Sequence, residues 1–172
     1  MISVAELESL FGDVRLVAPG LAEFSTEIAP DIARLGGTLK IAMPITESLP
    51  KFLEKLPEAG KIVLGVSDFS KGTNPYLAQK EALKWKRFLV KSGRSVRVVP
   101  NKTAVLSSAT SLHNKLFTDK CIELIKNGKN YYRVIQVQDI NSYVERDQVR
   151  PARDAKVGML PPKLAQILIN LC

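Results

Sequence analysis

The sequence predicts a mixed α/β fold of the α+β kind, and two observations carry that prediction. Short apolar runs of strand length alternate with longer stretches whose apolar residues recur at helical spacing, and no internal repeat or low-complexity tract breaks the alternation. A chain of 172 residues, 45% of them hydrophobic, also holds enough apolar material for one core or two small ones.

At the N-terminus, SVAE at 3–6 fits the S-x-x-E capping box, in which Ser3 and Glu6 each satisfy the other's free backbone donor; it predicts a helix running through Phe11. The runs at 14–17, 39–45, 62–66, 96–99 and 132–137 read as strands, and the segments near 30–35, 49–55, 75–91 and 107–126 as helices. LPEAGK at 56–61 places a Pro and a Gly between two such elements, which predicts a boundary between subdomains there.

The helix at 75–91 has the best-marked limits. Asn74 can cap it, Pro75 fits its first turn, and Gly93 can adopt the left-handed geometry that ends helices. Ala78, Ala82, Trp85 and Leu89 fall on one face, which makes Trp85 a core residue. Lys80, Lys84, Arg87 and Lys91 repeat the same spacing two residues later, and at about 100° per residue that offset turns the basic row to the opposite side. Only Glu81 is acidic on this helix, so compensating ion pairs along it are few and the row is a candidate phosphate-binding surface.

Charge is segregated along the chain. Residues 71–133 carry 14 Lys/Arg against 3 Asp/Glu, within a chain of net charge +8, and a local excess of this kind points to a polyanion. Nucleic acid is the leading partner and an acidic protein the alternative. Arg94 and Arg97 flank the basic helix, and Arg97, between Val96 and Val98 of a strand, is predicted to face away from both. Lys71 and Lys102 also flank the helix, and Lys115, Lys120, Lys126 and Lys129 follow it.

Several function classes find no motif. No apolar run reaches the roughly 18 residues of a membrane span, and Glu6 and Glu8 do not suit a signal peptide, which predicts a cytoplasmic protein. Cys121 and Cys172 are far apart, no C-x-x-C is present and His113 is the one histidine, so neither a disulfide framework nor a zinc site is encoded. Asn74-Pro75-Tyr76 approaches the N/D-P-P-Y/F tetrapeptide of amino-methyltransferases but lacks one proline, and it opens a well-formed helix. No G-x-G cofactor loop follows a strand.

At the C-terminus Pro162 suits a first helical position, and Leu164, Ile167, Leu168 and Leu171 share one face, widened by Ala165 and Ile169. A helix this apolar expects a core. Either it closes back onto the preceding chain, or it is the first element of a domain beyond this sequence.

The run RPARDAKVGMLPPKLAQILINLC, 150–172, resembles the segment that leads into the methyltransferase domain of THUMP-containing RNA methyltransferases, which methylate the guanine exocyclic amine in transfer RNA; GMLPPKLA is its most specific part. VAELESLFG at 4–12, GRSVRVV at 93–99, LHNKLF at 112–117 and VQDINSYVERDQVRPARDAKVG at 137–158 resemble that family's N-terminal half. The resemblance implies an N-terminal ferredoxin-like subdomain at 1–58, a THUMP domain at 59–147, and at 148–172 a linker and the entry helix of a Rossmann-like methyltransferase domain that the sequence lacks. The implied partner is transfer RNA, held at its acceptor stem and 3′ CCA end. The implied cofactor, S-adenosylmethionine, belongs to the missing part. Asn114 and Lys115 of LHNKLF join the candidate RNA contacts, and no catalytic residue is carried over. The family places a strand before its S-x-A-E-L-E-S-L helix; this sequence does not, and both ends imply a fragment or truncated product. A free-standing THUMP-type adaptor that presents transfer RNA to a separate enzyme, and a protein-interaction domain with a basic face, remain the alternatives.

Overall fold

The computed structural model describes residues 2–149 and 159–172, and its fold is mixed α/β. In chain order the elements are α1 (Ile2–Phe11), β1 (Val14–Ala18), β2 (Leu21–Phe24), a 3₁₀ turn (Ile32–Arg34), β3 (Lys40–Pro44), α2 (Leu49–Glu54), β4 (Ile62–Asp68), α3 (Pro75–Lys91), β5 (Val96–Val98), α4 (Ser108–His113), β6 (Cys121–Asn127), β7 (Asn130–Val137), α5 (Ile140–Gln148) and α6 (Pro162–Leu171). They divide into two compact units, Met1–Leu39 together with Gln138–Cys172, and Lys40–Val137. None of the described helices is long and apolar enough to cross a membrane.

The unit Lys40–Val137 is built on a five-stranded mixed sheet in the order β3-β7-β6-β4-β5. β4 runs parallel to both β5 and β6, while β7 is antiparallel to β6 and to β3. β4, with sequence IVLGVSD, is buried along its whole length, as a strand flanked by parallel neighbours and covered on both faces should be. Its Ile62, Leu64 and Val66 join Ile122 and Leu124 of β6 beneath Ala82, Trp85 and Leu89 of α3 and Leu49 and Leu53 of α2. All four residues of the predicted stripe, Ala78, Ala82, Trp85 and Leu89, are buried. The predicted limits of α3 hold as well. The Leu77 N–H donates to Asn74 Oδ1 at 2.9 Å, and Gly93 has φ +79°. Trp85 meets Phe88 and Tyr131 edge-on, at centroid distances of 6.0 and 6.1 Å. Val63, Val99, Leu106 and Leu116 form a second cluster, toward which Gly65 points. A Cβ on Gly65 would lie 2.7 Å from a Leu106 methyl and 2.8 Å from a Leu116 methyl, so the sheet packs there only because the side chain is missing.

Four expectations are corrected in this architecture. The helix predicted over 107–126 stops at His113; Asn114 follows, Lys115 turns the chain with φ +53°, and the rest becomes β6. The alternation of Ile122 and Leu124 serves the sheet core, and its pairing with β4 outweighs a helical spacing that the intervening apolar residues only imitate. LPEAGK is no boundary: it is the connection between α2 and β4 inside one unit, with Leu56 buried in the main core. The helix near 30–35 is only a 3₁₀ turn, opened by Asp31, whose Oδ1 accepts the Ala33 N–H at 2.9 Å. The SVAE capping box does not form either, because α1 already begins at Ile2, which puts Ser3 inside the helix and not at its cap. Glu6 is fully buried and accepts the N–H groups of Gly36 and Gly37 at 2.8 Å each, together with the Asn170 amide at 2.7 Å. The hairpin strand β2 and the helix α5 were not predicted at all.

The other unit combines α1, the β1–β2 hairpin, α5 and α6. The rings of Phe11 and Phe24 stack at 4.5 Å to join α1 to the hairpin. Pro162 stands in the first turn of α6, as predicted, and α6 closes back onto α1 and α5. The predicted apolar face is buried only in part, with Leu164 and Ala165 half-buried. Ile167 is buried, whereas Leu168 and Leu171 are exposed. The contact is made on Gly36, where a Cβ would sit 2.3 Å from the Lys163 carbonyl oxygen, and polar bonds fix the helix azimuth: Lys163 Nζ donates to Gln138 Oε1 at 2.5 Å and Asn170 donates to the Arg34 carbonyl at 2.7 Å. Residues 150–158 of the run that carries the resemblance lie outside the described residues.

Candidate nucleic-acid interface

Parallel β4 and β6 end side by side, with Asp68 opposite Lys126, and the chain leaves β4 through a loop that Gly72 bends at φ +76° before Asn74 starts α3. The carboxyl ends of parallel strands are where α/β sheets leave room for ligands. Here the ends of β4 and β6, the loop and the first three turns of α3 enclose an open groove of about 550 Å³. Lys80, Lys84 and Arg87 reach it from α3, Lys71 from the loop and Lys126 from β6; Asp68 and Glu81 are the two acids in its lining.

Both acids are internally engaged. Asp68 accepts the Ser70 N–H at 2.9 Å and Lys126 Nζ at 3.3 Å. Glu81 Oε1 accepts the Tyr131 hydroxyl at 2.6 Å, the Trp85 indole N–H at 2.7 Å and Lys84 Nζ at 3.3 Å, while Lys126 lies 3.8 Å from Oε2. Burial by itself raises the pKa of each carboxyl, but these donors and cations outweigh it, so both are held below the ordinary carboxylate range and stay ionised at neutral pH. Burial, and then Glu81, push the Tyr131 hydroxyl well above its usual range, so it remains a donor. Lys84 also lies 4.5 Å from the Trp85 ring centroid. Lys71, Lys80 and Arg87 enter no ion pair among the described residues, and all three are exposed. The groove therefore presents an excess of mobile positive charge over two carboxylates that are already satisfied.

The eight residues singled out in the sequence do not form one surface. Lys80, Lys84 and Arg87 line the groove; Lys91 is exposed at the far end of α3 and does not. Arg94 is turned to α2, where its guanidinium donates to the Leu53 carbonyl at 3.0 Å and the Glu54 carbonyl at 2.5 Å and so closes that helix's C-terminus. Arg97 projects away from Val96 and Val98, which pack beneath α3, as strand alternation predicted. Its Nη2 donates to Asn114 Oδ1 at 2.8 Å, and Lys115 stands next to that pair. Arg97, Asn114 and Lys115 thus gather on the α4 side of the sheet, the other face from the α3 row.

The groove recruits Lys71 and Lys126, whose common face no linear spacing could reveal, since one is in a loop and the other at the end of a strand read as helix. A second group lay outside any sequence reading: Glu123, fully buried on β6, accepts Lys40 Nζ at 2.6 Å and the hydroxyls of Ser67 and Ser111 at 2.5 Å each. Lys40 also donates to the Leu106 carbonyl at 2.7 Å. Burial lowers the Lys40 pKa and the Glu123 charge opposes that shift. This network ties strands β3, β4 and β6 to α4 and to the loop at Leu106, its members engaged with one another.

Comparison of the chain with protein-family models finds no match, and comparison with curated proteins finds none either.

Proposed function

We propose that the chain is an RNA-binding module of the THUMP type, joined to a ferredoxin-like subdomain, and that it holds the acceptor and 3′ CCA end of transfer RNA in the groove at the carboxyl ends of β4 and β6. The observation that carries this reading is the convergence of Lys71, Lys80, Lys84, Arg87 and Lys126 from three elements on one open groove whose acids are already paired. A polyanion is the ligand class that such a surface attracts, because each neutralised phosphate releases counterions. The choice of transfer RNA rests on the resemblance of GMLPPKLA and LHNKLF to the THUMP methyltransferases.

The contacts would neutralise phosphates and position the RNA without reading its sequence. Lys84 and Lys126 are held by Glu81 and Asp68, so they supply fixed charge, while Lys71, Lys80 and Arg87 can reorient onto the incoming backbone. Methyl transfer forms no part of this reading. S-adenosylmethionine finds no glycine-rich loop after a strand in the sequence, and Asn74, the residue nearest to the N/D-P-P-Y/F motif, has its side-chain oxygen occupied by the Leu77 N–H. These residues do not fit that chemistry.

Fluorescence anisotropy with intact transfer RNA, and with the same RNA lacking CCA, over a salt series is the test. Engaging the five groove cations predicts a log-log salt slope of roughly −3 to −5. Lys80→Ala with Arg87→Ala should flatten the slope by about 1.4 to 1.8. Weaker binding after removal of CCA supports the acceptor-end reading, and equal binding leaves a general cationic surface. Failure of the folded protein to bind either RNA, with tight binding to an acidic protein, would overturn the reading in favour of a protein partner.

A further inference from the structure

We propose that Tyr76 is a base-stacking platform at the N-terminal end of the cationic row, so that the groove takes an unpaired stretch of polynucleotide in preference to a duplex. The inference rests on the RNA-binding reading and adds to it a residue and a preference for single strands.

Three observations lead to it. Tyr76, Lys80, Lys84, Arg87 and Lys91 follow one another at intervals of 4, 4, 3 and 4 residues, so the tyrosine stands on the same face of α3 as the cations, one turn before Lys80. The row it opens is about 22 Å long at 1.5 Å per residue. Tyr76 is also 71% exposed, and of the 6 Phe, 4 Tyr and 1 Trp of the chain it is the one aromatic residue whose surface is exposed. The other ten are buried or half-buried, which is where an aromatic ring earns its stabilisation. Finally, no ring contact or hydrogen bond fixes Tyr76 among the described residues, and its neighbour Leu77, 41% exposed, lines the groove. A large amphipathic ring, left in water beside a groove of cations, is what single-strand binders offer to a base.

The preference follows from the chemistry of the partner. Within a duplex both faces of a base are covered by its neighbours, and a side chain can reach only the edges and the backbone. An unpaired base has a free π-face, and stacking it on Tyr76 would place the flanking phosphates over Lys80 and Lys71. Stacking is indifferent to base identity, so the strand would be held by position rather than sequence.

The test uses the full chain and three labelled RNAs of equal phosphate number: a single strand, a blunt hairpin closed by a non-nucleotide linker so that every base is paired, and the single strand with abasic sites. Tyr76→Ala should weaken binding of the single strand by roughly 5- to 100-fold and leave its salt slope unchanged, because stacking carries no counterion. Tyr76→Phe should retain the affinity, and Tyr76→Ala should not alter binding of the hairpin or the abasic strand. The exposure of Tyr76 means that the alanine variant removes nothing from the core. Unchanged affinity of Tyr76→Ala for the single strand, or equal loss on all three RNAs, overturns the proposal. If that happens while Lys80→Ala with Arg87→Ala still flattens the salt slope, RNA binding stands and only the role of Tyr76 falls. If the unmodified protein binds none of the three RNAs, the RNA-binding reading falls and the inference with it.

Discussion

Glu81 is the one acidic residue of α3, and its surroundings show why a linear charge count misjudges it. In sequence it looks like a weak counterion for the basic row. In the fold its Oε1 binds Tyr131 and Trp85 as well as Lys84, so it ties α3 to β7 and fixes the floor of the groove. Glu81→Gln should cost about 1.5 to 3 kcal/mol of stability, the range for hydrogen bonds to a charged group, measured by urea unfolding. The pH response has a definite sign. The pKa values of Asp68 and Glu81 are lower in the folded than in the unfolded chain, so the stability they contribute is fully present above the unfolded values near 4 and is lost as pH falls through the folded ones. A series of urea midpoints followed by Trp85 fluorescence should fall below about pH 4. The fall should be smaller in Asp68→Asn with Glu81→Gln; an identical fall would refute the assignment. Glu123→Ala, by contrast, strands the buried Lys40 and the hydroxyls of Ser67 and Ser111, and should cost about 3 to 5 kcal/mol. Lys40→Met added to Glu123→Ala should recover part of that loss, since no charge is then left unpaired.

At the scale of elements, α3 was legible because its determinants are local: a capping Asn74, a first-turn Pro75, a stripe at helical spacing and Gly93 in the left-handed region. Asn74→Ala should cost about 1 kcal/mol in urea unfolding, the usual price of an N-cap. β6 was missed although part of its signal is local: the two-residue turn Gly128-Lys129, with Gly128 at φ +61°, folds it back on β7 as a hairpin, and only its parallel pairing with β4 depends on a distant segment. α6 lies between these cases. Its start at Pro162 is local, but the side it buries is chosen by Gly36, Glu6 and Gln138, all more than 20 residues away in sequence. Gly36→Val should therefore push α6 off its seat and accelerate amide exchange in α6, while exchange in α3 stays unchanged.

For the molecule as a whole, the charge pattern and the fold describe the same object from two sides. Residues 71–133, where the positive excess concentrates, fall entirely within the contiguous unit Lys40–Val137, and the two core clusters described above are drawn from that unit. Residues 40–137 expressed alone should unfold cooperatively and keep the salt slope of the full chain toward RNA. A non-cooperative melt, or loss of RNA affinity in a folded sample, would contradict the assignment of the interface to this unit.

The sequence by itself determined the mixed fold class, the limits and two faces of α3, the orientation of Arg97 and the concentration of positive charge, because each depends on spacing within a few residues. Only the tertiary structure decided that β6 lies beside β4, that α6 closes on Gly36, and that Lys71 and Lys126 share a groove with the α3 row while Arg94 is turned to α2 and Arg97 lies across the sheet. These are facts about which distant segments become neighbours. Pairing energies between strands and the hydrogen-bonding needs of buried groups such as Glu6, Gln138 and Glu123 decide them, and no local pattern encodes either.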